Sequence, residues 1–136
     1  MKTTRLYRPV GMKEMELIAE SAYKKFPPRL AWQPIFYPVM NQQYAEQIAL
    51  EWNTKDEFSG FIGVVTAFEV TADYLKKYEV QNVGGEIHNE LWIPSSAMQE
   101  FNSQIVGEIE IVNVYFTSQS VGTQIESLAN KLESFG

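Results

Sequence analysis

The run FIGVVTAFEV, Phe61 to Val70, constrains the fold more than any other stretch, because Val, Ile, Phe and Thr fill it nearly throughout. A strand of that kind needs partners, and the chain offers several. TRLYR, Thr4 to Arg8, is short and β-prone and is stopped by Pro9. PIFYPV, Pro34 to Val39, is an aromatic strand whose end prolines keep it short or near a sheet edge. YEVQNV, GEIHNELWIP and GEIEIVNVYF follow, the first two joined by the Gly84-Gly85 turn.

Helical spacing separates these strands. Met15, Ile18, Ala19, Ala22, Tyr23 and Phe26 make an amphipathic stripe that FPPRL ends, since a proline biases the residue before it away from helical dihedrals. Asn41 is placed to cap a second helix with the stripe Tyr44, Ala45, Ile48, Ala49 and Trp52. NTKDEFSG then reads as a polar, mobile loop. Thr71 caps a short helix running to about Lys77, and PSSAMQEF carries Ser96 and Gln99 at capping-box spacing. A tail helix presents Val121, Ile125, Leu128, Ala129, Leu132 and Phe135. The order is β-α-β-α-β-(α)-β-β-(α)-β-α. Hairpin-length joins between strands favour an α+β fold with a largely antiparallel sheet over a regular doubly wound one. The 136 residues suit one domain, 1–136.

Composition narrows the chemistry. Eleven Lys and Arg against seventeen Asp and Glu give a net charge of -6, which argues against a nucleic-acid or anionic-membrane footprint. Cysteine is absent and His88 is the single histidine, so thiolate chemistry and multi-histidine metal sites are excluded. There is no GxSxG elbow and no EF-hand loop, and the acids are spread out, so no metal site is expected. MKTTRLYRPVG lacks the apolar core of a signal peptide, and no apolar run approaches the roughly 20 residues of a membrane span. The expected location is the cytoplasm, with no membrane partner.

Three places could carry chemistry. In GEIHNELWIP, strand alternation puts His88, Glu90 and Trp92 in one row. A buried ionised glutamate there needs solvent, a cationic partner or a ligand hydroxyl, and His88 could tune it or bond a substrate. The alternative is an open sheet face in water. Arg8 ends a strand before a glycine turn and a helix, where a guanidinium fork can meet a phosphate or carboxylate. The alternative is a pairing with a nearby acid. Phe36 and Tyr37 face opposite ways; one suits the core and the other could stack on a planar ring.

The pattern LYRPVG…FPPR…QPIFYPV…YA…WN…VT.FEV…VGG.IH.ELWIP…FN..I.G.IE, from about Leu6 to Tyr115, resembles a set of small uncharacterised bacterial proteins often labelled "ADP-ribosylation/crystallin". More distantly, the order of elements resembles the mono-ADP-ribosyltransferase fold, a split sheet holding NAD in a cleft. YRPVG would supply Tyr7, Arg8 and Gly11 to that family's first strand, FYPVMNQQYA would supply Tyr37 with Asn41 and Tyr44, and IHNELWIP would supply Glu90. The resemblance implies NAD as co-substrate. Arg8 would hold a phosphate, Tyr37, Tyr44 and Asn41 would lie at the nicotinamide, and Glu90 with His88 would form the catalytic pair. The Ser-Thr-Ser strand of the arginine-modifying toxins is absent, VVTAF keeping Thr66 alone, and His88 stands two positions before the glutamate.

Three functions are consistent with these residues. One is an ADP-ribosyltransferase or NAD glycohydrolase. Another is a module that binds a nucleotide or a target protein without turnover. The third is an interaction protein that pairs with its own copy through the tail helix or an exposed strand.

Overall fold

The computed structural model describes residues 2–117. In chain order it contains β1 (Thr3–Val10), α1 (Met12–Glu20), β2 (Ile35–Phe36), α2 (Gln42–Glu51), β3 (Ile62–Thr71), α3 (Ala72–Leu75), β4 (Gln81–Asn82), β5 (Asn89–Glu90), β6 (Ile93–Pro94), α4 (Met98–Ser103) and β7 (Ile105–Phe116). Every strand pairing among the described residues is antiparallel, so the chain is α+β as its spacing predicts. The expected tail helix, Val121 to Phe135, lies outside the described residues. No helix among the described residues is long and apolar enough to cross a membrane.

β3 lies between β1 and β7, and its residues are buried almost without a break. Alternation divides them between two faces. Val64, Phe68 and Val70 face a core shared with Leu6, Val10, Met15 and Ile18. In that core Phe26 meets Phe36 at 5.1 Å and Phe68 at 4.8 Å, and Phe36 meets Phe101 at 5.4 Å. On the other face Val65 packs with Val39 and with Ala45 and Ala49 of α2. Gly63 permits that approach, because a Cβ there would stand 2.7 Å from the Ala49 carbonyl oxygen. The sheet is thus covered on both sides.

Val39 extends the sheet beyond β1. It exchanges two backbone hydrogen bonds with Tyr7, at 2.9 and 2.8 Å, and bridges to Glu90 on its other side. The row β3–β1–Val39–β5–β4 therefore continues through a strand one residue long. β2 and β6 form a separate ladder.

Several local expectations are corrected. Pro9 does not stop β1, which runs on to Val10 with Pro9 opposite Val65. Tyr7 spends its backbone groups on Val39, so alternation turns the Pro9 nitrogen the same way, away from β3, and no β3 bond is lost. α1 ends at Glu20 rather than near Phe26. There Ser21 Oγ donates to the Ile18 carbonyl, Ala22 and Tyr23 take left-handed dihedrals (φ 62° each), and the Tyr23 carbonyl accepts from Ile109 N at 2.7 Å. PIFYPV and YEVQNV shrink to two-residue strands. GEIHNELWIP breaks into β5 and β6, which pair with different partners. Neither Thr71 nor Ser96 caps a helix with its side chain. NTKDEFSG is polar but not loose: it folds into 3-10 turns at Asn53–Lys55 and Glu57–Ser59, with Asn53, Thr54 and Ser59 buried.

Candidate functional site

Beyond the Tyr7–Val39 pair, β1 runs on through Arg8, Pro9 and Val10 with no strand on that side among the described residues. The gap is a cleft of about 430 Å³. Its walls are the end of β1 with the start of α1, the segment around Tyr37 and Val39, the C-terminal end of α2, the Asn53–Ser59 turns, and β5. Arg8, Tyr37 and Glu90 all line it.

Arg8 projects to the same face as Leu6 and Val10, and its guanidinium lies 4.5 Å from the Phe36 ring centroid. Nε and Nη2 both donate to the Glu14 carboxylate, at 2.7 and 3.0 Å, in a fork. α1 begins after Gly11, which sets Glu14 one turn into the helix and within reach of the strand end. Arg29 approaches the same ring at 5.7 Å, and burial first, then the charge of Arg8, lower its pKa. Arg8 is thus held by the Glu14 carboxylate and the Phe36 ring.

Glu90 is 8% exposed. Its Oε1 accepts from Trp92 Nε1 at 3.1 Å, an i,i+2 contact of the kind strand alternation predicts. Burial first, and then the charge and hydrogen bond of Glu90, hold the Tyr44 hydroxyl above its ordinary pKa. Tyr44 itself lines a neighbouring depression with His88 rather than this cleft. Tyr37 is exposed and meets Trp92 edge-on at 6.4 Å.

His88 lies apart from that row. Its Nδ1 accepts from Gly85 N at 2.8 Å, its Nε2 lies 3.0 Å from Gln47 Oε1, and its ring packs on Tyr44 at 4.8 Å. It folds back over the glycine turn instead of extending along a strand, and it lines a neighbouring depression with Gln47, Glu51 and Val83. Asn41 caps α2 as expected, accepting from Tyr44 N at 2.8 Å, and donates to the Ile87 carbonyl at 2.6 Å. These bonds place α2 against the β4–β5 hairpin, and Asn41 itself does not line the cleft.

Other cleft residues were not singled out for chemistry in the pattern, and Trp52, expected in the apolar stripe of the second helix, is exposed instead. Trp52 and Phe58 line the cleft while 65% and 69% exposed. Below them Asn53 Nδ2 donates to Ser59 Oγ at 3.1 Å, and Ser59 Oγ donates to Asp56 at 2.8 Å. Gly11 presses on this relay: a Cβ there would sit 2.6 Å from Ser59 Cα. The single hint was Asp-x-Phe in DEFSG, where Asp56 accepts from Phe58 N, an Asx turn.

No protein-family model, no curated protein and no solved structure matches the chain.

Proposed function

We propose that the Arg8–Tyr37–Glu90 cleft binds a nucleotide, with NAD as co-substrate, and that the chain is an ADP-ribosyltransferase or NAD glycohydrolase of the ADP-ribosyltransferase-like fold. The observation that carries this reading is the convergence of those three side chains, 82 positions apart from first to last, on one cleft. A volume of about 430 Å³ falls in the range of small-molecule sites. In this reading Arg8, held by Glu14, lends its positive charge to a phosphate, Tyr37 offers a ring for stacking, and Glu90 supplies the anion for positive charge that develops on a ribose. In that chemistry the bond between nicotinamide and ribose breaks with its electron pair leaving on nicotinamide, and water or a target nucleophile takes the ribose carbon.

One observation favours a second reading, binding without turnover. Both ring nitrogens of His88 are engaged, by Gly85 and Gln47, so the expected companion of Glu90 is held by the fold.

Incubation with NAD labelled on its adenosine side separates the two. Turnover predicts free ADP-ribose or labelled protein, reduced at least about 100-fold in Glu90→Gln. Saturable NAD binding without either product selects the second reading. Absence of NAD and ADP-ribose binding at millimolar concentration ends both.

A further inference from the structure

The FPPR segment takes no part in the cleft. It lines a separate groove of about 1050 Å³, against about 430 Å³ for the cleft, and no residue lines both. The rest of the lining comes from the C-terminal part of α1, the turn Ser95–Ala97 and α4. Its charge is unlike that of the whole chain. The chain carries a net -6, but this lining sets Lys24, Lys25 and Arg29 against one carboxylate, Glu20. None of these cations forms an ion pair with a described Asp or Glu.

Arg29 is the telling member. The other arginines of the chain, Arg5 and Arg8, both hold carboxylates. Arg29 is half-buried; its Nη2 donates to the Ile35 carbonyl at 3.0 Å, and its Nε is buried with no hydrogen-bond partner among the described residues. Burial and the charge of Arg8 both work against its charged form, and the Glu14 carboxylate that offsets part of this is already forked onto Arg8. A cation held in this way is destabilised until an anion seats beside it.

The floor of the groove decides the kind of anion. Phe26 N donates to Asn102 Oδ1 and the Phe26 carbonyl accepts from Asn102 Nδ2, each at 3.0 Å. Pro27 and Pro28 have no N–H. This stretch therefore cannot take up a strand through its main chain, and recognition falls to side chains. Pro27 and Pro28 stand between Lys25 and Arg29, and half-buried Leu17 adds to the apolar surface. A bare oxyanion would leave that surface unused, and a flat membrane face cannot follow a groove down to Arg29.

We infer that this groove docks an acidic peptide segment of a partner protein, its carboxylates meeting Arg29, Lys24 and Lys25 and its apolar side chains lying on Leu17 and the two prolines. The inference goes beyond the cleft and does not rest on a nucleotide being bound there.

The test uses a capped, dye-labelled peptide in which glutamate and leucine alternate, titrated by fluorescence anisotropy with the full chain. The control peptide has glutamine in place of every glutamate. The acidic peptide is expected to bind at least about tenfold tighter than the control, with the difference shrinking as salt rises. Arg29→Gln is expected to remove most of that preference, and Arg29→Lys, which keeps the charge and loses the fork, to remove part of it. Because Arg29 also bonds the Ile35 carbonyl, the exposed pair Lys24→Gln with Lys25→Gln gives a second reading, expected to weaken binding several-fold without touching that bond. Peptide-induced amide shifts should fall on Lys24, Lys25, Gln99 and Asn102. Equal affinity for the two peptides overturns the inference, as does a preference that survives all three substitutions together or shifts confined to the cleft. Tighter binding to phosphatidylserine vesicles or to single-stranded DNA than to the acidic peptide overturns the partner class. NAD titration reports on the cleft alone, so either site can fail while the other stands.

Discussion

The two walls of the cleft hold their charges in opposite ways. On the β1 wall, Arg8 is clamped: its fork is filled by Glu14, its flat face rests near Phe36, and its side chain is 12% exposed. On the β5 wall, Glu90 is as deeply placed, but among the described residues it has no ion pair and accepts from the neutral Trp92 indole. A paired charge at a cleft is part of the scaffold, and removing its partner is costly. An unpaired one stores binding capacity at the expense of stability, as functional sites often do. Sequence types alone would rank the arginine first as the ligand anchor; the contacts put the glutamate first.

The largest effect that could break this contrast lies beneath the β1 wall. Phe36 supports Arg8 and Arg29 and joins Phe26 and Phe101, so Phe36→Ala is expected to cost about 3–5 kcal/mol in chemical denaturation. A loss below about 1 kcal/mol would mean that the wall does not depend on the aromatic core. Next comes the direct comparison. Glu14→Gln leaves a largely buried guanidinium without its anion and should cost about 1–3 kcal/mol. Glu90→Gln keeps an acceptor for Trp92, removes an unpaired charge, and should change stability by less than about 0.5 kcal/mol or raise it. If Glu90→Gln proves the more damaging of the two, the contrast is wrong.

Gly11→Ala sharpens the picture at the far end of the cleft. The new Cβ would meet the Ser59 backbone at 2.6 Å, so the Asn53–Ser59 turns must shift, at an expected cost of about 1 kcal/mol or more. Altered amide shifts in residues 53–60 with unchanged signals from β3 would show the effect to be local.

The smallest effect is a titration. Tyr44 has a raised pKa in the fold, through burial first and Glu90 second. As pH rises past 10.0, the unfolded chain loses this proton before the folded one does, so the stability it contributes is lost as pH climbs through the folded value. Tyrosinate difference absorbance, read against Tyr44→Phe, should show a high midpoint that falls in Glu90→Gln while staying above 10.0, because burial remains. A midpoint indifferent to Glu90 would separate the two residues.

What was legible in the chain was whatever depends on near neighbours. FIGVVTAFEV forms the central strand, Asn41 caps α2, and the buried members of both helical stripes, such as Met15, Ile18, Ala45 and Ala49, are where their spacing puts them. What was not legible depends on distant partners. The break at Leu91 arises because β5 pairs with Gln81–Asn82 while β6 pairs with Ile35–Phe36. The early end of α1 is held by Ile109, far along the chain. Similarly, the candidate residues Arg8, Tyr37 and Glu90 were recognisable by type, but the Arg8–Glu14 clamp and the Trp52 and Phe58 rim arise only when α1, α2 and the turns meet.

Val39 has one more consequence. Because it is inserted between Tyr7 and Glu90 by backbone pairing, the main chains flanking the two charges are kept two strand spacings apart, about 10 Å. That separation works as a fixed gauge: side chains can lengthen or shorten the jaws, but the hinge between them does not slide. Changes in the size of molecule accepted here should therefore come from substitutions at the tips, with the frame left as it is.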